Sequence, residues 1–160
     1  MTKTAYLDAN IIILLFEGSG PIHDALWDLI LRFGSTGRFH TSALTMAEVL
    51  VLPFRERNID LVETYQSGKG DWLTVLPIGP TVLDRAAMIR AAVSRIKLPD
   101  AIQIATASLS ASDFLLSLDL GISDLNSFKH SLTGEALLPS TVILRPDVAS
   151  LSKLTEAFES

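Results

Sequence analysis

Five short β-rich segments punctuate this chain: TAYL at 4–7, RFHT at 38–41, DWLTVL at 71–76, DFLLSL at 113–118 and TVIL at 141–144. Most are apolar almost without interruption, the pattern of strands buried on both faces of a parallel sheet. The stretches between them carry helical periodicity. PIHDALWDLILRF repeats apolar residues at Ile22, Leu26, Leu29, Ile30 and Phe33. TVLDRAAMIRAAVSRI does so at Val82, Ala86, Ile89, Val93 and Ile96, and PDAIQIATASL at Ile102, Ala105 and Leu109. Pro53 and the GKG at 68–70 mark breaks in the helical middle. Strands alternating with helices require right-handed crossovers. The expectation is therefore an α/β fold, a three-layer α/β/α sandwich around a central, mostly parallel five-stranded sheet. In such folds the working residues collect at the carboxyl ends of the strands.

At 160 residues and 48% hydrophobic, the chain has the size of one domain, 1–160, and can bury a core without staples. The absence of cysteine excludes disulfides, thiolate metal sites and a cysteine nucleophile, and makes a cytoplasmic protein the natural expectation. Lys3 followed by an apolar stretch has the outline of a signal peptide. Asp8 and Asn10 interrupt that stretch, however, and Glu17 stands where small cleavage-site residues belong. No apolar run approaches the roughly 18 residues of a membrane span, so no membrane partner is expected. The formal charge of −5 argues against a protein that coats nucleic acid. Nucleic acid stays open as a substrate, because active-site acids lower net charge while bound cations neutralise them locally. Arg85, Arg90, Arg95 and Lys97 could form a basic patch, but the spacing of five between the arginines spreads them around a helix as a solvated surface.

Four acids occupy comparable places. Asp8 directly follows the first strand, Glu48 falls in the first turn after the second, Asp100 opens the helix of LPDAIQIATA, and Asp119 directly follows DFLLSL. Each has a purely structural explanation. Asp8 suits an N-cap; Thr45-Met46-Ala47-Glu48 has capping-box spacing; Pro99 suits the first helical position and Asp100 the first turn, where its charge complements the helix dipole. Asp119 can begin a loop, with Asp124 doing similar turn work. Taken together they mean more. Two carboxylates about 5 Å apart repel by roughly 3 kcal/mol at an effective dielectric of about 20. Four converging acids would destabilise the fold or take up protons unless a cation relieved them. Mg2+ or Mn2+ does so with oxygen ligands, keeps several waters and binds phosphate oxygens. Such an ion can activate water for phosphodiester hydrolysis. No histidine base is needed, and His23, His40 and His130 are scattered away from these acids.

The order and surroundings of the acids resemble those of the PIN-domain nucleases, especially the VapC-type toxins of bacterial toxin–antitoxin pairs. YLDANIII is similar to the family's opening motif, TSALTMAEVL to the second with its glutamate, LPDAIQIATA to the third, and DFLLSLD to the fourth. The likeness runs from about residue 4 to residue 145. It implies that Asp8, Glu48, Asp100 and Asp119 are the metal-binding catalytic acids, with Asn10 and Ser117 as polar supports for water, ligands or phosphate. Ser42 and Thr45 fall in the second motif, where Thr45 could equally serve as a cap. The resemblance further implies a PIN-like sheet in the order 3-2-1-4-5, an RNA substrate, a homodimer and an antitoxin partner. Leu118 departs from the pattern, standing where asparagine is frequent, and cannot hydrogen-bond near the scissile bond. Leu50, Val51, Leu52 and Phe54 could form a dimer or antitoxin surface, or belong to the core.

Two other readings stand beside this one. Asp8 could be the nucleophile of a haloacid dehalogenase-like phosphatase, but the second aspartate expected two residues later is Asn10. Alternatively the acids could belong to a catalytically weak or inactive RNA-binding or interaction module. Net acidity gives such a binder little with which to hold RNA.

Overall fold

All five apolar segments form strands: β1 (Ala5–Leu7), β2 (Phe39–Ser42), β3 (Leu73–Leu76), β4 (Phe114–Leu116) and β5 (Val142–Leu144). In the computed structural model, which describes residues 1–68, 70–122 and 125–160, they pair in parallel in the order β3-β2-β1-β4-β5. Lys69 of the GKG break and Asp124 lie outside the described residues. The chain crosses over through α1 (Ala9–Glu17), α2 (Pro21–Phe33), α3 (Ala43–Arg55), α4 (Ile59–Ser67), α5 (Pro80–Ala92) and α6 (Leu98–Leu109), and α7 (Val148–Glu159) follows β5. The three-layer α/β/α architecture is as the sequence pattern predicts, and the strand order is the one the resemblance implies.

Side-chain alternation along each strand divides the core in two. Ala5, Leu7, Phe39, Leu73, Phe114 and Leu116 face one way, against residues of α1, α2, α4 and α7. Tyr6 and Leu115 face the other way, against Ala86, Ile89 and the buried stripe of α6. Aromatic rings dominate the first layer. Phe158 of α7 meets Phe33, Phe39 and Phe114 edge-on, at centroid distances of 5.4, 5.7 and 6.5 Å. Phe16 does the same with Trp27 and Tyr65 at 5.9 and 5.3 Å. Such pairs contribute about 0.5–1.5 kcal/mol each beyond the area they bury. Gly34 lets α2 close onto β3, since a Cβ there would lie 2.8 Å from the Cβ of Trp72.

Two local expectations are corrected and one open alternative is resolved. The periodic stretch 81–96 is not one helix: α5 stops at Ala92, and Val93 leaves the helical region at φ −134°, ψ 84°. Arg90 donates from Nε to the Ile96 carbonyl across the turn, at 3.1 Å. Val93 and Ile96 stay buried, so the apolar spacing was real although its helix was not. Pro53 does not break its helix but sits inside α3, which ends at Arg55. Its ring costs α3 the N–H that would have bonded the Val49 carbonyl, and the helix continues for only two residues beyond it. The apolar run around it is split: Leu50 packs against the core, whereas Val51, Leu52 and Phe54 are 53%, 51% and 58% exposed.

Phe39 is 2% exposed and touches both Trp72 and Phe158. Phe39→Ala is expected to cost about 3–5 kcal/mol in urea-denaturation experiments, whereas Leu31→Ala, at a side chain 79% exposed, costs less than about 0.5 kcal/mol.

Candidate functional site

The carboxyl edge of the sheet is organised around Asp8. Its backbone N–H pairs with the Leu116 carbonyl at 3.0 Å, which brings the end of β1 beside the residues that follow β4. Its side chain is the N-cap of α1, accepting the Ala9 N–H at 2.7 Å through Oδ1. Through Oδ2 it accepts the Ser117 hydroxyl at 2.7 Å and the Asn10 amide at 3.4 Å. Capping and site-building are thus the same act at this residue. With 8% exposure, the Asp8 carboxylate has traded water for these donors.

Asn10 and Ser117 tie the two loops together. The Asn10 amide donates to Ser117 Oγ at 3.1 Å, and its carbonyl accepts the Leu118 N–H at 3.0 Å. Ser117 Oγ also accepts the Asp119 N–H at 3.0 Å, and Asp119 Oδ1 accepts the Gly121 N–H at 2.8 Å. Asp119 therefore begins a turn and stands exposed at the same edge. Leu118 turns its side chain into a cleft of about 370 Å3, lined also by Asn10, Ile13, Leu14, Glu17 and Gly18.

Glu48 and Asp100 reach this edge from α3 and α6. Ser42, not Thr45, caps α3: its hydroxyl accepts the Thr45 N–H at 3.3 Å, which puts Glu48 in the second turn instead of the first. The capping-box reading of Glu48 is therefore wrong, because β2 runs on to Ser42 and the helix begins at once. Glu48 instead receives a hydrogen bond from the Gln103 amide at 2.9 Å. Asp100 sits in the first turn of α6, after Pro99 and Lys97. Lys97 pulls the Asp100 carboxyl down, while burial and Asp119 push it up more strongly.

The acids sense one another. Burial raises the Asp8 carboxyl above its ordinary range; the Ser117 and Ala9 hydrogen bonds oppose this, and Asp100 and Asp119 add to it. Burial also raises Glu48, with Gln103 opposing and Asp8 and Asp100 adding. All four acids are thereby linked by like-charge repulsion. Among the described residues, no three His, Asp or Glu side chains are disposed to share a metal ion as they stand. The donor chemistry nonetheless fits a hard divalent ion, since the four acids, Asn10 and Ser117 all carry oxygen donors and the excess charge is negative.

The histidines take no part. His23 bonds Asp24 and the Leu15 carbonyl, His40 the Gly37 carbonyl, and His130 caps a turn at Leu132 and Thr133. Of the basic residues, Arg90 and Arg95 bond the backbone carbonyls of Ile96 and Gly121. One residue of the site was missed in the sequence: Gln103. It lies three residues after Asp100 in a helix whose other residues are mostly apolar, and nothing in that pattern marks it. It is 2% exposed and receives the hydroxyls of Tyr6, Ser42 and Thr45.

The PIN domain family model matches residues 5–127. The chain belongs to the PIN domain family. No curated protein matches the sequence. Among solved structures, this PIN domain is similar to a toxin–antitoxin complex from Klebsiella pneumoniae, with a TM-score of 0.60 and 22% identity over 87% of this chain and 96% of that one. It is similar to DNA-bound VapBC from Salmonella typhimurium, with a TM-score of 0.65 and 18% identity over 92% and 100%. It is also similar to FitAcB from Neisseria gonorrhoeae, with a TM-score of 0.61 and 19% identity over 89% and 98%. At these identities the likeness is one of fold.

The raised Asp8, Glu48 and Asp100 carboxyls contribute to the pH dependence of the metal-free PIN domain. A group whose pKa is higher folded than unfolded stabilises the fold fully below its unfolded value, near 4, and loses that contribution as pH rises through the folded value. Asp113, lowered by Lys3 and the Thr4 N–H, works in the opposite sense: its contribution is lost as pH falls. Asp100→Asn removes one repelled carboxylate. In thermal melts with EDTA it is expected to be more stable than the parent at pH 8, by about 1 kcal/mol or less given solvent screening, with the gain vanishing near pH 3. A gain that does not change with pH would contradict this.

Proposed function

We propose that this chain is a divalent-metal-dependent ribonuclease that hydrolyses RNA phosphodiester bonds. It works as a single domain over residues 1–160, in the cytoplasm, as the toxin of a toxin–antitoxin pair. The reading is supported by one observation: Asp8, Glu48, Asp100 and Asp119 stand toward the carboxyl edge of a PIN domain near enough for each to be coupled electrostatically to others of the set. Repulsion of this kind is costly to a fold and useful to a cation site. Asp8, Glu48, Asp100 and Asp119 would hold Mg2+ or Mn2+. When bound, such an ion would supply Lewis acidity, lowering the pKa of a water and offsetting negative charge that develops in hydrolysis.

The chain's own residues do the remaining work. Asp8 offers a carboxylate whose direction is set by Ser117 and the Ala9 N–H. Asn10 and Ser117 hold the loop after β4 against the start of α1, so that Asp119 and Asp8 keep their spacing while substrate binds. Glu48 and Asp100 complete the negative rim. RNA as the substrate rests on the family resemblance of the four motifs. The antitoxin rests on the same resemblance and on the neighbours, one a toxin–antitoxin complex and another VapBC bound to DNA. A homodimer is proposed on that basis too; the exposed apolar residues Val51, Leu52 and Phe54 on α3, with Ile59 on α4, offer a face for a protein partner.

A second reading, a PIN domain that binds RNA without cutting it, draws on Leu118, whose side chain takes up apolar space next to Asn10 where a polar group would reach substrate. One experiment separates the two. The purified protein is expected to cleave RNA with Mg2+ or Mn2+ and to stop in EDTA. Asp8→Asn and Asp100→Asn, each folded by circular dichroism, lower the rate by roughly 100-fold or more. RNA binding without cleavage supports the second reading, and unchanged cleavage in both variants overturns the nuclease assignment.

A further inference from the structure

We propose that Gln103 is a positioning residue for Glu48: its side-chain amide holds one carboxylate oxygen so that the other is presented to the ion. This rests on the nuclease reading above. Gln103 lies one helical turn after Asp100, so α6 carries both an acid of the site and the group that orients another acid. Its Nε2 donates to Glu48 Oε2 at 2.9 Å. Its carbonyl oxygen accepts hydroxyls from three different elements: Tyr6 in β1, Ser42 at the end of β2, at 3.1 Å, and Thr45 in α3, at 3.0 Å.

The direction of the amide follows from charge. Turned over, it would point its carbonyl at the Glu48 carboxylate, two acceptors face to face in a buried place. As it stands, the NH2 group meets the carboxylate and the carbonyl is held by three O–H donors, which cannot all be replaced if the amide turns. Ser42 Oγ is itself fixed by the Thr45 N–H. Glu48 is the longest of the four acids and the freest to choose a rotamer, so it has most to gain from such a clamp. A glutamate held this way loses little side-chain entropy when an ion arrives. Groups that orient a metal ligand typically matter 10–100-fold for metal affinity or activity.

Two measurements test this on the full chain. In the metal-free protein, the Gln103 side-chain NH2 is expected to give an NMR signal with slowed hydrogen exchange, and Glu48→Ala is expected to remove the protection. This needs no Gln103 variant and no activity. Mn2+ affinity is then measured for the parent, Gln103→Leu, Glu48→Ala and the double variant. Gln103→Leu should weaken Mn2+ binding by about 10–100-fold, raise no further cost on top of Glu48→Ala, leave the KM for RNA unchanged and recover its cleavage rate as Mn2+ is increased. A purely structural Gln103 would lower the melting temperature but leave Mn2+ affinity of the folded protein untouched. That result, or additive losses in the double variant, overturns the proposal while the nuclease reading stands. A parent chain that binds no Mn2+ yet keeps the protected amide overturns the metal reading, and with it the role given to Gln103.

Discussion

A carboxylate that is 8% exposed at the end of a central strand is the constraint around which this structure is arranged. Burying the Asp8 charge is tolerable only because donors meet it on both oxygens: the first N–H of α1 on one side, the Ser117 hydroxyl on the other. Ser117 lies 109 residues from Asp8 in the chain, and the parallel pairing of β1 with β4 brings the two together. The order of the strands is thus not separable from the chemistry of the edge. With β1 in the middle, Asp8 has β4 and its loop on one flank and β2, leading to Ser42 and α3, on the other.

The second organising element is the polar cluster under Glu48. Tyr6, Ser42, Thr45 and Gln103 are all nearly inaccessible to water, and each finds its partner within the cluster. Burial drives the Tyr6 phenol well above its ordinary pKa, so it remains a hydrogen-bond donor at any physiological pH. A neutral network of this kind can fix side-chain directions beside a set of charges without adding to their repulsion. It joins β1, α3 and α6, the elements that carry or adjoin three of the four acids.

Much of this was legible in the residues. Continuous apolar runs distinguish strands covered on both faces, and all five were located to within a few residues. Period 3.6 located α2 at its observed limits. Periodicity could not say where α5 ends, because Val93 and Ile96 are buried by a turn as well as they would be by a helix. Nor could alternation of strands and helices specify which strands are neighbours; the order came from likeness of the four acid motifs to a known family. Asp8 is visible as an acid directly after an apolar strand, whereas Asn10 and Ser117 were marked only by the likeness of their motifs to the family. Gln103 was marked by neither, since a single glutamine among alanines and isoleucines has the same appearance whether it faces solvent or a buried hydroxyl cluster. Glu48 lies one turn further along α3 than the capping-box spacing implies, because Ser42, still in its strand, is also the cap.

The proposal to be tested is that Asp8, Glu48, Asp100 and Asp119 share a divalent cation. Crystals equilibrated with Mn2+ and recorded at an anomalous wavelength test it most directly. The account predicts one or two strong peaks at the carboxyl edge of the sheet, with Asp8 as a ligand together with at least one of Glu48, Asp100 and Asp119. An edge without a peak at saturating Mn2+, or a peak bound by other residues, would contradict it.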